Sequence, residues 1–473
     1  MSDVQSASPS RRIAVLFSAS VALQIGCASL IAWLSPSFSI DSGRDFASRP
    51  ILWVVTLWSL AFALQMVSLW SALKLRDTRQ LAWGIFLVGV SLRLLFLFTP
   101  PIQEVDLYRY LWDGAVVNQG VSPYRFSPEQ LREVRPENED LRRLQELLSE
   151  RPGLSVVHSR VHYPQVTTVY PPVSQCVFAW TAFFIPATAS ATQHVITMKV
   201  AIGVFDIGTM LLIMGLVRNR KLHSAWTIVY CWSPLVLKEF ANSGHLDSIA
   251  VFLTTLTLWL LNRSGPATRA TTLGSAIGLA LAIGAKLYPV VLLPVCFAFV
   301  CKRSGWKHAA QWFAVTAIAT TVIMAPMFAH RFGPKATTPD EAGLETFLSR
   351  WEMNDLIFMV LEENVRPDPP PETNRMAWFA VVPNEWRINW TESIASRSGI
   401  AAPRVPFLLT RAITSLAFIA FALWIAWRTY EKPNRLLAAG FITLAWFWFL
   451  SPTQNPWYWT WALPLIVFQR NRA

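Results

Sequence analysis

Apolar runs of roughly 18–25 residues recur along this chain, and a run of that length crosses a bilayer core of about 30 Å as an α-helix. Of the 473 residues, 53% are hydrophobic and 15% are charged, whereas soluble domains carry about 25% charged residues. The 23 tryptophans suit membrane–water interfaces, because an indole keeps one polar edge in water. The sequence therefore predicts an all-α, polytopic membrane protein.

The apolar runs predict one transmembrane domain over residues 1–473, with about 11–13 membrane helices. One further apolar run, 173–189, is short, so it either dips into one leaflet or crosses completely. The predicted spans lie at 13–34, 51–73, 81–99, 195–217, 222–240, 245–262, 270–285, 288–301, 308–329, 405–427, 434–450 and 456–469.

Basic residues concentrate in the short loops between these spans, as at Lys74, Arg76 and Arg79. Cytoplasmic loops are enriched in Lys and Arg, and all the basic loops share that side if 173–217 crosses the membrane once in net. This favours a half-inserted helix at 173–189. We interpret the net charge of +12 as an orientation signal and as contact with anionic membrane lipids, and predict no nucleic-acid partner.

Two long segments, 100–172 and 330–404, then fall on the extracytoplasmic face. The first shows helical spacing over 105–120 and 128–149, typical of amphipathic helices that lie along a leaflet. The second is proline-rich at 367–371, which favours an exposed loop. The apolar side of the first segment is predicted to consist of Leu131, Val134, Leu141, Leu144 and Leu148.

Asp106 is the first candidate for chemistry, because it follows a span that Pro100 and Pro101 end. A carboxylate at that junction could act as general base on an acceptor hydroxyl in an inverting sugar transfer. Capping of an interfacial helix beside Arg109 explains Asp106 equally well. Glu104 with Asp106 is compatible with a divalent metal, although a monophosphate leaving group needs only a Lys or Arg.

Lys286 is the second candidate, because AKLYP interrupts an apolar stretch that Gly284 and Pro289 can break. An ammonium at such a break could bind a lipid phosphate, or it could extend to the headgroups without a further role. His245 and Asp247 open another membrane helix, where they could contact a phosphate or a sugar hydroxyl, or simply cap the helix.

Three further charges lie inside predicted spans. Arg93 is close enough to the outer end of its span to contact a phosphate. Lys199 and Asp206 are seven residues apart and share a helix face, so we expect them to pair internally and support helix packing.

The chain resembles the bacterial polyprenyl-phosphate-mannose-dependent mannosyltransferases of the GT-C superfamily in EVDLYRYLWDG, GVSPY, VYPPVSQ, NSGHLDS, AKLYP and NPWYWTWALP. The resemblance implies a GT-C bundle, a lipid-monophosphate sugar donor and an acidic base in the first outer loop. Asp106 matches that base and Lys286 matches the lysine of the K-L-Y-P element. Glu104 and Asp113 are also acidic, so the resemblance leaves the choice of base open.

The candidate site residues follow from these motifs. The catalytic candidates are Asp106 and Glu104. The donor-phosphate candidates are Lys286, Arg93, Arg109 and Tyr288. The substrate candidates are Tyr110, Trp112, Asp113, Tyr124, Tyr170, His245, Asp247, Trp351, Asn354, Asn455 and Trp457.

The sequence thus predicts an inner-membrane glycosyltransferase that moves a hexose, mannose in the family it resembles, from a polyprenyl-phosphate sugar to a lipid- or glycan-linked acceptor on the extracytoplasmic side. A transporter or flippase of a lipid-linked saccharide is one alternative, but no internal repeat is evident and the polar groups gather at one interface. A polymerase or ligase using pyrophosphate-linked oligosaccharides is another, since 331–411 holds several arginines. No Gly-rich nucleotide-binding turn is present, which favours a lipid donor.

Overall fold

The computed structural model describes residues 11–103, 105–132, 138–263, 269–329, 353, 356–369 and 379–469. These residues form α-, 3-10 and π-helices, with one isolated bridge between Met353 and Thr453. Six described helices are long and apolar enough to cross a membrane, which confirms the prediction of an all-α polytopic membrane protein. They are Arg11–Phe38, Ile51–Ala72, Arg79–Leu97, Ala191–Asn219, Trp306–Ala329 and Ala402–Glu431.

The chain divides into two compact units, the first made of residues 1–289 and 312–343 and the second of 290–311 and 344–473. The described helices of the first unit are α1 (Arg11–Leu34), α2 (Ile51–Ala72), α3 (Arg79–Leu97), α4 (Asp106–Asn118), α5 (Glu139–Glu150), α6 (Pro152–Ser159), α7 (Pro172–Phe183), α8 (Ala191–Asn219), α9 (Ile228–Cys231), α10 (Pro234–Val236), a π-helix (Leu237–Asn242), α11 (Asp247–Leu261) and α12 (Arg269–Ala285).

The second unit contains α13 (Leu293–Ser304), α15 (Ile357–Glu363), α16 (Asn384–Ser398), α17 (Val405–Glu431) and α18 (Leu436–Leu450), while α14 (Trp306–Ala329) begins there and continues in the first unit. α13 packs along α17, and α15 contacts α17 through the rings of Phe358 and Phe407, 5.5 Å apart. The predicted outer loop 330–404 thus contains helices α15 and α16 in its described part. Buried Arg387 of α16 pairs with Asp368 at 3.0 Å.

α1 and α2 pack side by side and reach the segment around α9 through polar side chains. Ser20 and Ser68 hydrogen-bond between the two helices at 2.8 Å. Gln24 donates to the Trp232 carbonyl and Gln65 to the Ile228 carbonyl, both at 2.9 Å. Such bonds join helices in a bilayer, where apolar side chains gain little from leaving lipid. The two N-terminal spans therefore buttress the segment that leads to the π-helix.

Three predicted spans, 222–240, 288–301 and 456–469, are wrong as single helices, and the second combines a 3-10 helix (Tyr288–Leu292) with the first part of α13. Residues 222–240 form a 3-10 turn, α9, α10 and most of the π-helix, because Pro234 restarts the helix and Ser233 caps it. Residues 456–469 form two 3-10 helices, Pro456–Trp461 and Leu463–Gln469. The predicted break at Lys286 is confirmed, since α12 ends at Ala285 and a 3-10 helix begins at Tyr288.

α4 differs from the interfacial helix expected over 105–120. All residues from Leu107 to Val116 are buried, because α4 packs against α7 inside the first unit. A Cβ on Gly114 would lie 2.3 Å from the Phe178 carbonyl oxygen, so this glycine permits the contact. α5 does have one buried side, formed by Leu141, Leu144 and Leu147 rather than Leu148.

α7 occupies the region whose crossing the sequence left open. It has 12 residues and so rises about 18 Å, short of a bilayer core of about 30 Å. Its length is therefore consistent with half-insertion.

Candidate functional site

The start of α4 is fixed by the side chain of Asn242, which ends the π-helix. Its oxygen accepts from the Ile102 amide at 3.0 Å, and its amide group donates to the Pro100 carbonyl and the Thr99 hydroxyl, each at 3.0 Å. The proline pair that ends α3 is thereby held against the π-helix. This defines the direction in which the chain enters α4 and presents Asp106.

Asp106 is the first residue of α4 and is partly buried. Burial raises the pKa of its carboxyl group, against the opposing effects of a hydrogen bond from Tyr170 and the nearby charge of Lys286. Tyr170 Oη donates to Asp106 Oδ2 at 3.1 Å. Burial holds the pKa of Tyr170 well above its usual value, so this phenol remains a donor. A carboxylate with a raised pKa is suited to proton abstraction.

Lys286 lies at the end of α12 and pairs with Asp247, the first residue of α11. Its ammonium group is 2.7 Å from both carboxylate oxygens, and the Asp247 side chain is 2% exposed against 21% for Lys286. Ser174 of α7 donates to the Ala285 carbonyl at 2.8 Å and so fixes the helix end. The ends of α4, α11 and α12 therefore bring Asp106, Lys286 and Asp247 into electrostatic contact.

The π-helix adds two charged residues that the sequence analysis missed. Lys238 Nζ lies 2.7 Å from Glu239 Oε1, and the Glu239 side chain is fully buried. His245 Nδ1 lies 3.8 Å from Glu239 Oε2, and both Lys238 and Lys286 are within electrostatic range of the ring. These two residues could have been found in the sequence, because the charges in LKEFAN interrupt an apolar run. π-helical turns often accompany functional sites.

A second polar layer lies along α4, beyond its first turn. Gln175 donates to Asp113 Oδ2 at 3.1 Å and to Thr168 Oγ1 at 3.1 Å. Burial raises the pKa of Asp113, while nearby Arg109 opposes the shift. Tyr124 Oη donates to the Tyr170 carbonyl at 2.9 Å. These bonds hold the segment before α7, and with it the Tyr170 side chain that contacts Asp106.

Several aromatic candidates pack around these groups. The Tyr110 ring stacks on Phe178 at 4.6 Å and meets Tyr170 edge-on at 4.9 Å. Trp112 packs against His158 at 4.6 Å, and Tyr288 is buried beside Thr254. Tyr110 thus lies next to Tyr170, the residue that bonds Asp106, whereas Trp112 packs α4 against α6.

Arg93 is buried between α3 and α8, where it pairs with Asp206 at 2.7 Å and donates to the Cys231 carbonyl at 2.7 Å. Lys199 donates to the Thr99 carbonyl at 2.8 Å and also to that of Phe96. The expected pairing of Lys199 with Asp206 is therefore wrong, because each side chain finds its partner on a neighbouring segment. Phosphate binding by Arg93 stays a prediction.

The remaining candidates lie elsewhere. Glu104, Trp351 and Asn354 are outside the described residues. Asn455 and Trp457 belong to the second unit, where Asn455 is buried and accepts at its carbonyl from Trp448.

Among the residues that the structure describes, no three His, Cys, Asp or Glu side chains converge as a metal site. A metal held by Glu104 and Asp106 therefore stays a prediction.

The fold and this cluster define a class: a polytopic α-helical membrane protein with an acid, a tyrosine and an ion-paired lysine at the ends of neighbouring helices. Residues 53–302, more than half of the chain, match the family model described as alpha-(1->6)-mannopyranosyltransferase, N-terminal domain. The chain belongs to this family, a mannosyltransferase family of the GT-C type. No curated protein and no solved structure matches the chain.

Proposed function

We propose that this membrane mannosyltransferase takes mannose from a polyprenyl-phosphate donor and transfers it, with inversion, to a lipid- or glycan-linked acceptor on the extracytoplasmic face of the inner membrane. The observation that carries the proposal is the Asp106–Tyr170–Lys286–Asp247 cluster in a chain of this family. Membership of a glycosyltransferase family favours sugar transfer over the transport of a lipid-linked saccharide.

Asp106 acts as the general base in this proposal. Its carboxylate takes the proton of the acceptor hydroxyl as the oxygen attacks the anomeric carbon of the donor. The bond from that carbon to the phosphate oxygen breaks, and both electrons leave with the phosphate. Asp106 is favoured over Asp113, because Asp113 is 2% exposed and engaged by Gln175.

Lys286 receives the phosphate in this proposal. A fixed ammonium stabilises the charge that develops on the leaving oxygen, and a phosphate monoester needs little acid assistance. Asp247 positions the ammonium through its two short contacts. Lys238 lies near the same histidine as Lys286 and is a second candidate cation. Both ammonium groups are ion-paired, Lys286 with Asp247 and Lys238 with Glu239, so a bound phosphate shares them with these carboxylates.

The test is incubation of the purified protein in detergent with polyprenyl-phosphate mannose, polyprenyl-phosphate glucose or the corresponding nucleotide sugar. The acceptor is an alkyl glycoside of α-(1→6)-linked mannobiose, analysed by mass spectrometry. We expect the acceptor to gain one hexose only when polyprenyl-phosphate mannose is the donor. Transfer from the nucleotide sugar, or from no donor in the panel, would reject the proposed donor class.

A further inference from the structure

The loop between α6 and α7 crosses the first turn of α4, next to Asp106. Arg160 donates to Tyr108 Oη at 3.2 Å at the start of the loop, and Arg109 donates to the Val166 carbonyl halfway along it. The residues between these two anchors, among them His162 and Tyr163, therefore lie beside the helix turn that begins with Asp106. The His162 side chain is within electrostatic range of that carboxyl group.

Tyr163 has an unusual backbone conformation. Its φ is +50°, although it is not glycine and is followed by Pro164. A residue before proline favours extended conformations with negative φ, so the left-handed conformation is strained here. The loop is held in this shape, because Val166 N donates to the Tyr163 carbonyl at 3.2 Å and Glu129 N to the Pro164 carbonyl at 2.9 Å. Strain of this kind concentrates at functional sites.

The strained turn presents two rings outward. The ring centroids of His162 and Tyr163 are 4.0 Å apart with an interplanar angle of 37°, and Tyr163 is 44% exposed. Both rings are therefore at the surface of the loop. An exposed aromatic face beside a catalytic carboxylate can pack against the C–H face of a pyranose.

The geometry points to a saccharide-binding subsite formed by His162 and Tyr163, which holds the acceptor sugar against Asp106. This inference rests on the proposed function for its direction of transfer. The acceptor is the substrate that must meet the base, because its hydroxyl gives up the proton. The donor phosphate is instead assigned to Lys286, just after the end of α12, whose ammonium group is positioned by Asp247 of α11.

Tyr163→Ala tests the subsite by two measurements on the full-length protein. The first is the affinity for the alkyl α-(1→6)-mannobioside without donor, measured by microscale thermophoresis. The second is the KM for the same acceptor and for polyprenyl-phosphate mannose in transfer. We expect the affinity for the acceptor to fall about tenfold and the KM for the acceptor to rise by a similar factor. The KM for the donor should not change.

Two control variants separate the subsite from a general loss of structure. Tyr163→Phe keeps the ring and should bind the acceptor as the wild type does. Tyr430→Ala removes a ring of similar exposure, 42%, from α17 and should change neither constant. Unchanged acceptor affinity in Tyr163→Ala, or an equal change in both substrates, would overturn the subsite. Wild-type protein that transfers nothing would reject the proposed function, while the binding measurement still decides the subsite.

Discussion

At the scale of single residues, the hydrogen bond from Tyr170 to Asp106 makes a prediction about pH. The bond favours the ionised carboxylate and lowers its pKa, so Tyr170→Phe should raise that pKa further above the usual aspartate value. A general base must be ionised, so activity falls as the pH drops through its pKa. The acid limb of the profile of kcat/KM against pH should therefore move to higher pH in the variant.

Tyr124→Phe is the control for that profile. Its hydroxyl contacts the Tyr170 carbonyl and not the carboxylate of Asp106. The control loses only a contact to the Tyr170 backbone, so its acid limb should move much less than that of Tyr170→Phe. An acid limb that stays unmoved in Tyr170→Phe would contradict the assignment of Asp106 as the titrating base.

The Lys286–Asp247 pair makes a second residue-scale prediction. Asp247 is 2% exposed at its side chain, so removing Lys286 alone leaves a buried charge without its partner. Lys286→Met or Asp247→Asn alone should lower stability by roughly 1–3 kcal/mol. The double variant should lie closer to the wild type in thermal melting than the less stable single variant. Strictly additive effects would show that the two groups do not act as a pair.

At the scale of elements, Gly244 determines how closely the loop after the π-helix approaches α4. Its φ is +71°, and an added Cβ would lie 2.4 Å from Leu107 Cδ1, next to Asp106. Leu107 is buried, so its side chain has little room to turn away from the added methyl group. Gly244→Ala should therefore shift Leu107 and the first turn of α4, reducing kcat by more than tenfold and lowering the melting temperature.

Gly120→Ala is the matched control for that effect. Gly120 has the same φ of +71°, but an added Cβ would meet nothing within 4 Å. It should cost only about 1 kcal/mol of backbone strain and leave kcat almost unchanged. Equal kcat losses in the two variants would contradict the displacement of α4.

The helix break at Lys286 was predictable, because proline and an ionisable residue interrupt an apolar run that is too long for one span. The π-helix was not, because 222–240 is apolar enough to pass for a single membrane helix. The pairing of charged side chains from different helices could not be predicted from the sequence either. Spacing along α8 suggested a partner for Asp206 seven residues away, whereas the structure supplies Arg93 from α3.

At the scale of the whole molecule, the orientation in the membrane is open to a direct test. The proposal puts the start of α4 on the extracytoplasmic side of the membrane and the basic loop after α2 on the cytoplasmic side. In a cysteine-free background, Gln103→Cys should react with a membrane-impermeant maleimide in intact spheroplasts. Arg76→Cys, at a position that is also exposed, should react only after permeabilisation. Labelling in the reverse order would place the proposed active site in the cytoplasm.

The central claim is that the carboxylate of Asp106 takes the acceptor proton during mannosyl transfer. The most direct measurement is kcat for transfer from polyprenyl-phosphate mannose by Asp106→Asn. Asp113→Asn is measured beside it as the companion variant. Donor binding by each variant shows whether it is folded. We predict that Asp106→Asn binds the donor as the wild type does and loses about 100- to 10,000-fold in kcat. Near wild-type turnover in Asp106→Asn would contradict the claim.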